Sequence, residues 1–203
     1  MSQNQKEMEK RILALGDSYT IGESVQENDR WPMLLVDMLR EAGNNFEKPE
    51  IIAKTGWTTD ELIAAINEAN PQGPFDLVSL LIGVNNQYRG NSLLTYREEF
   101  EFLLRKAIDF AGGDIKKVIV VSIPDWGVTP FAEGRDREKI SMEIDLFNAA
   151  NRAIAEEMGI TYVEITIESK LAATDLSLIA DDGLHPSSKI YKQWANKVFN
   201  ALP

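Results

Sequence analysis

Two stretches of this chain are apolar at almost every consecutive position, Phe75–Ile82 (FDLVSLLI) and Lys117–Ile123 (KVIVVSI). A strand with one face in water alternates polar and apolar side chains, whereas a strand covered on both faces has no reason to. Runs this short, closed by Gly83 and Pro124, read as strands and not helices. Such strands need helices on either side, which points to a parallel sheet built from strand–helix–strand units.

The rest of the chain supplies the matching parts. Arg11–Leu15, Glu50–Lys54 and Thr161–Ile165 read as three further strands. Trp31–Glu41 reads as a helix with Pro32 in its first turn and Gly43 beyond its end. Thr59–Ala69 is a second, with Thr58 or Thr59 as its N-cap. Ser92–Ala111 carries Leu93, Tyr96, Phe100, Leu103, Leu104 and Ala107 at helical spacing, and Asp136–Met158 carries Ile140, Ile144, Phe147, Ile154 and Met158 on one stripe. Ser187–Ala201 closes the chain as a last helix. No repeat, low-complexity tract or Pro/Gly linker divides the pattern, so residues 11–203 read as a single domain behind a polar, frayed segment at 1–10.

Composition narrows the chemistry. With 21 Lys and Arg against 32 Asp and Glu, the formal net charge is −11, a surface that repels phosphodiester backbones. Nucleic acid and anionic membranes are poor partners for it. The chain has no cysteine, which removes disulfides and thiolate metal sites. Ile12–Leu15 is too short for a signal-peptide core and no stretch approaches a membrane span, so a cytoplasmic location is expected. Oligomeric state leaves no trace in the sequence.

Sheets of this kind bind ligands at the carboxyl ends of their strands. That rule selects the loops Gly16–Gly22, Lys54–Thr59, Gly83–Gly90 and Pro124–Glu133, with Ala180–Ser187 able to reach them. Ser18 stands just past the first strand, where helix N-terminal N–H groups favour developing negative charge; a plain N-cap is the ordinary alternative. His185 is the one histidine, in Asp182-Gly183-Leu184-His185-Pro186, and any base for a serine nucleophile must be this imidazole. Asp182, three residues before it, can hold the ring N–H and fix its tautomer. In isolation the pair reads equally as a surface turn. Asn85 can donate to an oxyanion or cap a helix, and Gly56 can offer a backbone N–H or serve a turn. With a lone histidine, a metal site is not expected.

Together these residues resemble the SGNH (GDSL-type) hydrolases, a family of lipases and esterases. The four blocks appear in the family's order at Gly16-Asp17-Ser18, Gly56, Gly83-Val84-Asn85 and Asp182–Pro186, spanning positions 16 to 186. Thr20 stands where the α/β-hydrolase elbow Gly-x-Ser-x-Gly would need its second glycine, so that other serine-hydrolase fold is disfavoured. The resemblance implies a flavodoxin-like three-layer α/β/α sandwich with a five-stranded parallel sheet. It also implies Ser18 as nucleophile, His185 as base and Asp182 orienting it. Ser18 N–H, Gly56 N–H and the Asn85 side chain would form the oxyanion hole, without cofactor or metal.

The reaction expected is hydrolysis of a small-molecule ester, with short acyl groups such as acetyl on a carbohydrate or other small alcohol. Acyl transfer, or lysophospholipase or thioesterase activity, is the alternative on the same scaffold. Loop position puts Asp17, Tyr19, Trp57, Asn86, Tyr88, Trp126 and Phe131 at the substrate pocket. A rival from another class takes the hydroxyl-rich Ser18–Ser24 loop as a flavodoxin-like phosphate cradle for a flavin.

Overall fold

A computed structural model describes residues 9–203. Five strands, β1 (Ile12–Asp17), β2 (Glu50–Lys54), β3 (Leu77–Leu81), β4 (Val118–Val121) and β5 (Thr161–Val163), form one sheet in the order β2-β1-β3-β4-β5. Every pairing is parallel. Eight α-helices accompany them among the described residues: α1 (Ser18–Ile21), α2 (Trp31–Glu41), α3 (Thr59–Ala69), α4 (Val84–Tyr88), α5 (Leu93–Phe110), α6 (Arg137–Glu157), α7 (Thr166–Lys170) and α8 (Ser188–Ala201).

The strand order dictates the layers. The crossover from β1 to β2 runs one way along the sheet, and those to β3, β4 and β5 run the other way. Right-handed crossovers therefore put α2 on one face and α3, α5 and α6 on the opposite face. The closing helix α8 packs on α2 and completes the first layer. Between the layers β1, β3 and β4 are buried at every position, which is why their sequences do not alternate. The crossovers diverge between β1 and β3, and the crevice opened there is where ligands of such sheets lie.

The observed elements differ from expectation mainly at their ends. β1 continues past Leu15, because Gly16 and Asp17 still pair with Ala53 and Lys54 of β2. β3, β4 and β5 are shorter than their apolar runs; Phe75, Ile82, Ile123 and Ile165 stay buried without sheet partners. Thr58, not Thr59, caps α3, and Glu61 closes the box by accepting from the Thr58 N–H at 2.9 Å. At Lys10, the last residue of the segment expected to fray, the N–H donates to Asn45 O at 2.7 Å and the carbonyl accepts from Glu47 N at 2.8 Å. The remainder of that expectation, at 1–8, lies outside the described residues. Among the described residues no helix is long and apolar enough to cross a membrane.

Candidate active site

Ser18 opens α1 directly at the carboxyl end of β1. The helix begins so abruptly because Gly16 lets it fold against the strand: a Cβ there would lie 2.1 Å from Thr20 Oγ1 and 2.4 Å from Leu81 O. Asp17 is the N-cap, its Oδ1 accepting from Tyr19 N at 3.0 Å. This leaves Ser18 as the first helical residue, with its backbone N–H among those the helix does not bond internally. A carboxylate thus already fills the place a flavin phosphate would need, which weighs against the phosphate-cradle reading.

Burial shapes Asp17 further. Desolvation, partly opposed by the N–H groups of Tyr19 and Asp17 itself, pushes its carboxyl from 3.8 up to about 7. The native state then holds this proton more tightly than the unfolded chain, so stability falls as pH rises from about 4 to about 7 and levels off above. Asp17→Asn keeps a capping oxygen and removes the penalty. We expect urea unfolding to show its stability relative to wild type improving across that window, by on the order of 1–3 kcal/mol. A difference that does not change with pH would contradict this.

The second and third loops deliver the amides. Gly56 has φ +85°, and a Cβ would meet nothing closer than 3.7 Å, so backbone conformation and not space calls for glycine. Arg89 braces this turn, donating to Gly56 O at 2.6 Å while pairing with Glu61 at 3.2 Å. Asn85, in the first turn of α4, donates from Nδ2 to Trp57 O at 3.0 Å and lies 3.4 Å from Asp17 Oδ2.

The Asp182–His185 segment is a closed loop. Ala180 N donates to His185 O at 2.8 Å, Ser187 N to Leu178 O at 2.8 Å, and Gly183 takes φ +72° at the turn. Asp182 Oδ1 accepts from Leu184 N and His185 N, each at 2.9 Å, while Oδ2 meets His185 Nδ1 at 2.6 Å. Partial burial raises the Asp182 carboxyl, but the donors from His185, Leu184 and Ser24 outweigh it and hold the group at about 2. It is therefore ionised at neutral pH, beside a ring it can stabilise as a cation. The His185 ring is buried and lies against Tyr19, centroids 5.0 Å apart.

These segments meet around one cavity of about 160 Å³, lined by Ser18, Tyr19, Thr55, Gly56, Val84, Asn85, Tyr88, Trp126, Phe131, Leu184 and His185. Ser18 lines this cavity, and among the described residues its Oγ makes no hydrogen bond, to His185 included. The outer wall is an aromatic cluster. Trp126 is pinned by Nε1 donating to Gln87 Oε1 at 2.7 Å, Tyr88 meets it edge-on at 5.3 Å, and Phe131 packs on both. The Arg135 guanidinium sits over all three rings, 5.1–5.3 Å from their centroids. Among the described residues no group of three or more metal-binding side chains converges.

Three residues placed at the pocket by loop position do not line it. Asp17 is wholly buried beneath it as the helix cap. Asn86 points away and ties α4 to α3, donating to Thr59 Oγ1 at 2.7 Å and accepting from Thr59 N at 3.2 Å. Trp57 lends its carbonyl to Asn85 while its ring packs on the core. Thr55, Val84 and Leu184 also line the cavity. No sequence signal marks the first two for that role, whereas Leu184 lies inside the histidine motif itself.

The model of the GDSL-like lipase/acylhydrolase family matches residues 14–193, nearly the whole chain. The chain belongs to that family. Solved structures share the family fold at low identity. Acetylxylan esterase Axe2 from Geobacillus stearothermophilus is 19% identical with a TM-score of 0.73, covering 95% of this chain and 94% of that one. Psychrotrophic esterase EstA from Pseudoalteromonas sp. is 17% identical with a TM-score of 0.71, over 95% and 96%. The lipase/acylhydrolase from Enterococcus faecalis is 20% identical with a TM-score of 0.68, over 94% of each chain. At these identities the likeness speaks to the five-stranded α/β architecture of the GDSL-like fold. No curated protein sequence matches the chain.

Proposed function

We propose that this GDSL-like hydrolase is a serine esterase that cleaves small esters through an acyl-enzyme. The observation that carries the reading is one cavity bearing the Ser18 hydroxyl, the His185 imidazole and the Asn85 amide, with Asp182 bonded to the far side of that imidazole at 2.6 Å. Ser18 Oγ attacks the ester carbonyl as His185 takes its proton. The carbonyl oxygen becomes an oxyanion facing Ser18 N–H, Gly56 N–H and Asn85 Nδ2. His185 then protonates the departing alcohol, and the acyl group remains on Ser18. Water, deprotonated by the same imidazole, attacks this acyl-enzyme; the acid leaves and the proton returns to Ser18.

Asn85 can serve the oxyanion by exchanging its longer contact to Asp17 for the substrate oxygen, while its bond to Trp57 O keeps the amide aimed. Asn85→Ala is expected to lower kcat by on the order of a hundredfold or more. A loss below about threefold would remove Asn85 from the oxyanion role.

Short acyl groups fit best. The cavity of about 160 Å³ is smaller than pockets that enclose drug-sized ligands, roughly 300–1,000 Å³. Behind the wall formed by Tyr19, Trp126 and Leu184 only about 10 Å³ is unfilled, so a longer chain has no inward path. The similar Axe2 is an acetylxylan esterase, which agrees with acetyl on a carbohydrate as the substrate class. A series of p-nitrophenyl esters from acetate to palmitate tests this. Highest kcat/KM at acetate or propionate is expected; a maximum at palmitate would overturn the short-chain reading, and no hydrolysis of any member would overturn the esterase.

A further inference from the structure

We propose that Ser24 is a positioning residue for the reaction, holding the Asp182 carboxylate in line with His185. The inference rests on the esterase reading above. A carboxylate offers about four lone-pair sites, and those of Asp182 are fully assigned. Oδ1 takes the N–H groups of Leu184 and His185, and Oδ2 takes His185 Nδ1 and the Ser24 hydroxyl, which donates at 2.7 Å. Three of these donors belong to the loop of Asp182 itself. The fourth crosses 158 positions from the turn that follows Ser18 and its helix.

The backbone indicates that this bond is built in. Ser24 has φ +64°, the left-handed region where glycine is the default and serine is uncommon. The turn around it is fixed from two sides. Glu23 N donates to Ser18 O at 3.0 Å, and Thr55 Oγ1 hydrogen-bonds the Glu23 carboxylate. A serine held there points its hydroxyl at the same oxygen that receives His185 Nδ1. Without that second donor Oδ2 keeps only the imidazole as a partner, the carboxylate plane is held from the Oδ1 side alone, and the direction of the imidazole is set less tightly. The Tyr19 ring limits the other side of the imidazole, leaving the carboxylate to set its direction.

Substituting the position two ways separates hydroxyl from backbone. Ser24→Ala deletes the hydroxyl and keeps the strained φ; Ser24→Gly deletes it and relieves the strain. For a positioning hydroxyl, both variants lower kcat for p-nitrophenyl acetate by about five- to twentyfold with KM within about twofold, because a charge-assisted bond is lost from the relay and not from the substrate pocket. Ser24→Gly should keep the wild-type melting temperature while losing kcat, a combination that a loop staple does not produce. Wild-type kcat in Ser24→Gly, or an effect confined to KM, would overturn the inference. Asp182→Asn, measured alongside, separates the two levels. If it leaves kcat unchanged, the esterase mechanism itself fails; if it costs activity while Ser24→Gly costs none, only the role of Ser24 fails.

Discussion

Replacing Ser18 with alanine is expected to lower kcat for p-nitrophenyl acetate by at least about 10⁴-fold, with the melting temperature unchanged. The two halves of this expectation have separate causes. On the proposed mechanism the Ser18 oxygen is the atom that attacks, and alanine removes it while leaving the Ser18 N–H and the other proposed oxyanion donors in place. The fold does not depend on the hydroxyl: Ser18 Oγ bonds to nothing among the described residues, and alanine suits the first turn of a helix at least as well as serine. Circular dichroism melting beside ester turnover checks both. Activity within tenfold of wild type would mean that another nucleophile does the work.

His185→Ala is expected to cost on the order of 10⁴-fold in kcat as well, for a different reason. On the proposed mechanism Ser18 survives but loses the base that takes its proton: this is the only histidine of the chain, and Asp182 lies on the far side of its ring. Stability falls modestly, by about 1–2 kcal/mol, because a buried ring is lost from its contact with Tyr19 and Asp182 Oδ2 loses a donor. On the proposed mechanism Ser18 and His185 act as one unit, so the double variant should be about as slow as either single one. Steady-state kinetics on the three proteins read this directly. Costs that multiply in the double variant would mean the residues act independently.

Much of this architecture is legible in the amino-acid sequence, for identifiable reasons. The apolar runs at Phe75–Ile82 and Lys117–Ile123 declare strands covered on both faces, and the amphipathic stripes between them declare the covering layers. Asp182 and His185 can be paired from sequence because their contact is local, three residues apart within one tight loop. The ends of elements are less legible: Gly16-Asp17-Ser18 looks like a turn from its composition, yet the strand runs through Asp17 because β2 is there to pair with it.

The pocket wall is the least legible part, since a loop position does not say which way a side chain points. Asn85 and Asn86 are adjacent, but α4 turns one toward the cavity and the other toward Thr59. Asp17 and Ser18 divide in the same way, one beneath the site and one facing it. Ser24 carries no sequence signal at all, because its partner lies 158 positions away and its unusual φ belongs to the folded turn. Arg135 likewise gains its meaning only from three rings, one at the end of α4 and two in the loop after β4.

The central claim is that the Ser18 hydroxyl is the group that bonds to the acyl carbon. Treatment with a fluorophosphonate, followed by mass spectrometry of the digested protein, tests it most directly. A single phosphonyl adduct on Ser18, formed as esterase activity disappears, is the predicted result. Loss of activity with the adduct on another residue, or full activity in protein completely labelled at Ser18, would contradict it.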